Sequence, residues 1–290
     1  MNVLRPAIRK TALFLELIKF PHTVFALPFA FMGAILAARG IPAWPTLLWI
    51  LLAMVGARSG AMAMNRLADQ ELDARNPRTR ERALPKGLVR RGEVILFTIA
   101  SFALFLFAAS RLNPLCLKLA PLAMAVLILY PYTKRFTALS HLILGLALAL
   151  APLGAWIAVT GRVAAAPAVL GLAVLLWVAG FDILYALADI DFDRTAGLHS
   201  IPTRFGAAGS MAISRTFHAL TILLLLSLMP LMDLRYFYVT GVILAAGLLL
   251  YEHLLLIRYG LKQLDAAFFT ANGILSIALL CFTLLDILLL

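Results

Sequence analysis

Long apolar runs separated by short charged clusters dominate this chain. Stretches of about 20 mostly apolar residues, the length that crosses a hydrocarbon core, centre near residues 12–37, 44–64, 94–110, 114–132, 138–160, 166–188, 210–231, 236–257 and 267–289. In lipid every backbone N–H and C=O must be satisfied inside the segment or in a closed barrel. Runs this uniformly apolar lack the alternation of barrel strands. The pattern therefore predicts an all-α, polytopic membrane protein, a nine-helix transmembrane bundle. No polar linker divides it, so residues 1–290 read as a single domain. Pro21 and Pro28 fall within the first run and predict a kinked first helix.

Composition agrees: 63% of residues are hydrophobic and 13% charged, with a mean hydropathy of +0.97, outside the range of soluble domains. The net charge of +11 is distributed unevenly. Arg5, Arg9, Lys10 and Lys19 precede or open the first run, and Arg66, Arg75, Arg78, Arg80, Arg82, Lys86, Arg90 and Arg91 fill the second connection. Lys134, Arg135, Arg194, Arg204, Arg215, Arg258 and Lys262 mark later connections on the same side. The opposite side has Arg39, Arg111, Lys118, Arg162 and Arg235, and Arg58 lies inside the second run. Basic residues gather on the cytoplasmic side. The expected location is a bacterial-type inner membrane, with the N-terminus and the basic connections cytoplasmic. The charge is read as topology and affinity for anionic lipid, with no nucleic-acid partner and no required protein partner evident. The first run is too long for a cleaved leader and is read as retained. Trp44, Trp49 and Trp156 fall at predicted outer boundaries, where indoles anchor. Cys116 and Cys281 are isolated, which predicts neither disulfides nor a thiolate metal site.

Against this background two acidic clusters stand out. Asp69, Glu71 and Asp73 close the second run, and Asp189, Asp191 and Asp193 close the sixth, together six of the 14 Asp and Glu residues. Both fall on the basic side. Asn65, Asp69 and Asp73 are spaced four apart and share one face of a helix, as do Asp189 and Asp193. Two such faces across a cavity offer four carboxylates to a hard divalent cation. Mg²⁺ typically takes one or two carboxylates together with phosphate oxygens, so the implied substrate carries a phosphate or diphosphate. Such an anion needs further cations, and Lys19, Arg78, Arg82, Lys134 and Arg135 are available as a clamp. Of five scattered histidines, His199 alone adjoins an acidic cluster and is a candidate ligand contact. No Ser-His-Asp set, nucleophilic Cys or phosphate-binding glycine loop is recognisable.

These motifs resemble those of the UbiA superfamily of intramembrane aromatic prenyltransferases, along essentially the whole chain. The N-x-x-x-D-x-x-x-D motif is matched by Asn65, Asp69 and Asp73, D-x-x-x-D by Asp189 and Asp193, and Y-x-x-x-K by Tyr130 and Lys134. The segment from Asp73 to Thr79 is similar to the 4-hydroxybenzoate polyprenyltransferase branch. The text from Ile18 to Phe29 and from Gly197 to Pro202 looks like a bacterial subgroup of it, some members of which are associated with menaquinone synthesis. Arg66 departs from many relatives, which have Asp there, and is expected to turn charge toward the diphosphate.

The resemblance implies a central cavity opening sideways to lipid and Mg²⁺-dependent transfer of a polyprenyl group from polyprenyl diphosphate to a small aromatic acid. Asp69, Asp73, Asp189 and Asp193 are expected to hold the metal, with Asn65, Arg78, Arg82 and Lys134 steadying the leaving group. Arg135 is the candidate for the acceptor carboxylate, Asp191 for orienting or deprotonating its phenol, and Tyr130 or Tyr185 for stabilising the allylic cation. The acceptor stays open between 4-hydroxybenzoate and a dihydroxynaphthoate. Haem farnesylation and a non-enzymatic transporter are the other readings.

Overall fold

The computed structural model of the protein describes residues 4–260 and 266–290; Lys262, assigned above to a basic connection, lies outside them. The chain folds into α1 (Leu4–Leu17), α2 (Leu27–Ala38), α3 (Trp44–Ala68), α4 (Gln70–Arg75), α5 (Arg91–Leu112) and α6 (Pro114–Thr133). Then follow α7 (Ser140–Thr160), α8 (Ala165–Ala186), α9 (Ile190–Thr195), α10 (Ile201–Met232), α11 (Tyr236–Tyr259) and α12 (Asn272–Leu289). Among the described residues there is no strand. Eight helical segments among these residues are long and apolar enough to cross a membrane. Large apolar side chains such as Leu96, Leu122, Ile243 and Leu250 lie exposed on the outside of the bundle, as lipid-facing residues do. The protein is a multi-pass membrane protein.

The first apolar run departs from the expected kinked helix. α1 stops at Leu17, Lys19 adopts a left-handed backbone (φ 50°), a 3-10 turn covers Phe20–Phe25, and α2 restarts with Pro28 in its first turn. The cause lies in the prolines. A proline at position 21 supplies no N–H for the carbonyl four residues earlier, that of Leu17. Arg66 of α3 takes it instead, Nε to Leu17 O at 3.1 Å. About two turns earlier on α3, Arg58 Nη2 donates to the Lys19 carbonyl at 3.2 Å and its Nε to Thr23 Oγ1 at 3.2 Å. The arginine counted on neither side thus closes the break. α2 has 12 residues, about 18 Å at the helical rise, and crosses only part of the hydrocarbon layer.

The main core joins α2, α8, α10, α11 and α12 around Phe29, Met32, Trp177, Leu225, Tyr238 and Leu275. Trp177 donates Nε1 to Asn272 Oδ1 at 2.7 Å, so its buried N–H is satisfied. On the side of the bundle where α6 begins, Asn113 caps that helix and donates to the Ile157 carbonyl at 2.7 Å. There too Asp286 accepts from the Arg235 and Tyr238 amides at 2.7 and 3.1 Å, capping the start of α11. These short, mutually satisfied connections leave the longer ones, 76–90 and 196–200, at the opposite end.

Two glycines set the geometry. Gly206 (φ 68°, ψ −176°) divides α10 into a short first piece and a long second one, a backbone that side chains resist. Gly56 brings α3 against α5, where a Cβ would lie 2.6 Å from the Phe105 amide nitrogen and 2.7 Å from the Ser101 carbonyl oxygen. Small residues permit such approach between membrane helices. Gly56→Val should therefore separate α3 from α5 and cost about 1–3 kcal/mol, the usual range for overpacking. Thermal unfolding in detergent checks this, and an unchanged midpoint would show that the contact is not tight.

Candidate active site

The long connections and the helix ends beside them enclose a cavity of about 250 Å³. α3 brings Asn65 and Arg66, α4 brings Asp73, and the backbone between them turns at Asp69 (φ −99°, ψ 6°). The Asn65, Asp69, Asp73 row survives this turn, because the Asp69 amide still bonds to the Asn65 carbonyl at 3.0 Å and that of Asp73 to Asp69 at 2.7 Å. α6 delivers Tyr130, Pro131 and, at its C-terminal cap, Lys134. α7 begins with Ser140 and His141, and α8 ends with Asp182 and Tyr185. Asp189 closes a 3-10 turn and Asp193 lies one turn into α9.

Cations hold three of the carboxylates. Lys134 Nζ donates to Asp69 Oδ2 at 2.6 Å. Arg82 Nη1 reaches both oxygens of Asp73, at 2.7 and 2.8 Å, and Arg66 Nη1 stands 3.9 Å from Asp73 Oδ2. Arg78 grips Asp189 in a two-pronged contact, Nε to Oδ1 at 2.8 Å and Nη2 to Oδ2, while its Nη1 donates to Tyr185 Oη at 2.9 Å. Its guanidinium also lies 5.0 Å from the Tyr185 ring centre. Burial alone would lower the pKa of Arg78, but the hydrogen bonds to Asp189 and Tyr185 and the Asp189 charge outweigh it and hold the group above the ordinary arginine value.

The connection 76–90 is built to present these cations. Asn76 Oδ1 accepts the Arg78 amide at 2.9 Å, an Asx turn at the Asn-Pro step. Its Nδ2 donates to Asp189 Oδ1, also at 2.9 Å, so one side chain both shapes the turn and joins the two acidic clusters. Thr79 Oγ1 donates to the Asp73 carbonyl at 3.1 Å. Ala83, Leu84 and Val89 bury themselves against Leu17 and Ile18 of the first segment and Ala63 of α3, anchoring the loop by apolar contact.

Most of the predicted residues meet here: Asn65, Arg66, Asp69, Asp73, Arg78, Arg82, Tyr130, Lys134, Tyr185, Asp189 and Asp193 all line the cavity. Others do not. Asp191 is exposed and outside the lining, so the structure does not bring the expected phenol base to the cavity. His199 is also exposed; its contribution is a backbone N–H to the Lys134 carbonyl at 2.7 Å. Lys19 stands at the break in the first segment, outside the lining. Arg135 is beside the cavity, with Nη2 on the Ala68 carbonyl, 3.7 Å from Asp69 Oδ1, and its guanidinium 5.3 Å from the Tyr132 ring centre.

Sequence reasoning missed Asn76, Asp182 and His141. Asp182 lies seven residues before Asp189, two helical turns, and that spacing was a usable signal. His141 had none, because its partners come from α8 and α10. His218 and His253, which read as scattered, meet at 3.1 Å in the core, outside the cavity lining.

The donors suit a hard metal. Asp69 Oδ1 is buried and accepts no hydrogen bond, and the oxygens of Asp69, Asp73, Asp189 and Asp193 belong to the ligand class that Mg²⁺ prefers. In the ion-paired arrangement Asp69, Asp73 and Asp189 are held by cations, and among the described residues no three His, Cys, Asp or Glu side chains form a ready metal cluster.

A profile described as "UbiA prenyltransferase family" matches residues 26–274. The chain is similar to the 4-hydroxybenzoate octaprenyltransferase of Vibrio parahaemolyticus, 32% identical over 240 residues, 82% of this chain and 84% of that protein. The protein of that name from Vibrio cholerae is 32% identical over 254 residues, 87% and 88% of the two chains. Among solved structures, the apo UbiA homolog from Aeropyrum pernix superposes with a TM-score of 0.84 at 33% identity, covering 92% of this chain and 98% of that one. A UbiA homolog from Archaeoglobus fulgidus bound to DMAPP and Mg²⁺ shares the fold, with a TM-score of 0.75 at 22% identity over 96% and 99% of the chains.

Removing one partner of a buried pair strands the other. Asp73→Ala, which leaves Arg82 and Arg66 unpaired, should cost about 1.5–3 kcal/mol, the range for hydrogen bonds to charged groups. Thermal unfolding without ligand measures it, and a variant as stable as the parent would contradict the pairing.

Proposed function

We propose a polyprenyl transfer for this chain, which belongs to the UbiA prenyltransferase family: the prenyl group of a polyprenyl diphosphate passes to an aromatic acid of the 4-hydroxybenzoate type, in respiratory quinone biosynthesis. The interleaving of carboxylates and cations at one end of an apolar bundle carries this reading. The name shared by the Vibrio relatives supports the acceptor, and the basic connections support a cytoplasmic placement of the site in a bacterial-type inner membrane.

Five carboxylates and four Lys or Arg side chains line the cavity, leaving one negative charge in excess. A diphosphate bearing about three negative charges, accompanied by about two divalent cations, closes that balance. Asp69, Asp73, Asp189 and Asp193 would hold Mg²⁺, which supplies Lewis-acid stabilisation to the leaving diphosphate.

The protein's own groups do the rest. With their carboxylates holding the metal, Lys134, Arg82 and Arg78 would be free to receive phosphate oxygens; the guanidinium forks suit this bidentate contact. Asn65 and Arg66 steady the same group. Negative charge grows on the diphosphate as the bond to the allylic carbon breaks, and preset cations meet it without reorganisation. Tyr130 and Tyr185 offer ring faces to the allylic carbon. Arg135, beside the cavity, is the candidate for the acceptor carboxylate. Apolar helices exclude water that would capture the allylic cation.

Purified protein given labelled polyprenyl diphosphate, Mg²⁺ and 4-hydroxybenzoate should form the prenylated acid, and metal chelation should abolish product. Asp69→Ala and Asp189→Ala should each lose at least about a hundredfold in turnover. Full turnover in either variant would remove these residues from the site. 1,4-Dihydroxy-6-naphthoate, offered in competition, should be the poorer acceptor; a preference for it would move the reaction to menaquinone synthesis.

A further inference from the structure

Asp182 and His141 form a second polar unit in the cavity wall, distinct from the clamped acids. His141 is buried, and its Nδ1 lies 2.6 Å from Asp182 Oδ2. On its other side the Ile201 amide, one of the N–H groups left open at the start of α10, points to Nε2 at 3.4 Å. A ring nitrogen that accepts an N–H carries no proton, so Nε2 is the bare nitrogen and Nδ1 carries the hydrogen that Asp182 receives. Ser200 fixes the helix start: its side chain accepts the Thr203 amide at 3.2 Å and its amide donates to Thr203 Oγ1 at 2.9 Å. The imidazole is therefore held from two sides, and it in turn holds the carboxylate.

Asp182 differs from the acids gripped by lysine or arginine. Among the described residues its contact is the hydrogen bond with His141, and no Lys or Arg lies within ion-pairing distance of its carboxylate. It lies two turns before Asp189, about 10 Å further into the bundle along α8, in a cavity wall shared with Tyr130, Pro131 and Leu144. There it lies deeper in the cavity than the charged clamp.

We propose that His141 is a positioning residue for the aromatic acceptor, holding Asp182 so that its second carboxylate oxygen receives the acceptor's hydroxyl hydrogen. This rests on the prenyl transfer proposed above. As the ring carbon beside the hydroxyl forms its bond to the prenyl carbon, the prenyl carbon–oxygen bond breaks and its electron pair leaves with the diphosphate. The hydroxyl proton passes to Asp182, giving a neutral dienone. That intermediate regains aromaticity when the ring C–H proton passes to the departing diphosphate and Asp182 returns its proton to the oxygen. One proton and one diphosphate depart for each C–C bond made. A carboxylate drawing on the hydroxyl in a buried site enriches the ring in electrons when it must attack.

The test compares 4-hydroxybenzoate with 4-methoxybenzoate, which has no hydroxyl hydrogen, as acceptors for the full-length protein with Mg²⁺ and labelled polyprenyl diphosphate. The wild type should favour the hydroxy acid by tenfold or more. His141→Leu should lower kcat for the hydroxy acid at least about tenfold, leave the donor KM unchanged, and leave the slow methoxy reaction as it was. His141→Asn, which keeps an N–H near the place of Nδ1, should recover most of the loss. Asp182→Asn, nearly the same shape, should remove the preference for the hydroxy acid and serves if the leucine variant does not fold. Equal losses with both acceptors, a raised donor KM, or unchanged kinetics would overturn the inference while leaving prenyl transfer standing. A wild type that prenylates neither acid would overturn both.

Discussion

Mutual neutralisation of acids and bases at one end of an apolar bundle is the constraint on which the rest of this structure depends. A single charge at mid-bilayer costs about 2.5–3.5 kcal/mol on an insertion scale, and this cavity gathers nine charged side chains. They are tolerated because Lys134, Arg82 and Arg78 each hold a carboxylate, and because the site lies where helices end. The bundle brings four helix ends together, and tight contacts such as that at Gly56 keep them there. The same pairing stores the groups that a magnesium diphosphate requires: oxygens for the metal and cations for the phosphate.

The break in the first segment belongs to the same design. A carbonyl that proline leaves without an amide would be costly in lipid; Arg66 of α3 supplies the donor at Leu17, and Arg58 adds one at the Lys19 carbonyl. Arg66 stands between two duties, with Nε on the Leu17 carbonyl and Nη1 near Asp73. It couples the position of α1 to the acidic row. A residue that looked like a departure from the usual motif is thus a structural tie between the entry segment and the site.

Much of this was legible in the sequence. Hydropathy located the spans, and the spacing of Asn65, Asp69 and Asp73 identified a shared face even though the helix turns at Asp69. Basic residues near the acids marked the clamp. What remained hidden depends on contacts between distant segments. Pro21 read as a kink because a proline alone does not reveal that Arg66 will take the freed Leu17 carbonyl and Arg58 brace the turn beyond it, permitting a full break. Asn76 stayed hidden because the hydrogen bond that brings it into the site crosses to Asp189. Asp191 looked suitable by position in its cluster, but it stands two residues from both Asp189 and Asp193, about 200° around a helix, enough to turn it out of the cavity that they line.

The central claim is that metal and diphosphate enter together, because each takes the groups that the other releases. Calorimetric titration of inorganic diphosphate into the detergent-solubilised protein, with and without Mg²⁺, tests it directly. Binding that is linked must be linked reciprocally. The account predicts that Mg²⁺ tightens diphosphate binding at least about tenfold, and diphosphate that of Mg²⁺ by the same factor. Equal affinity for either partner in the presence and absence of the other would contradict it.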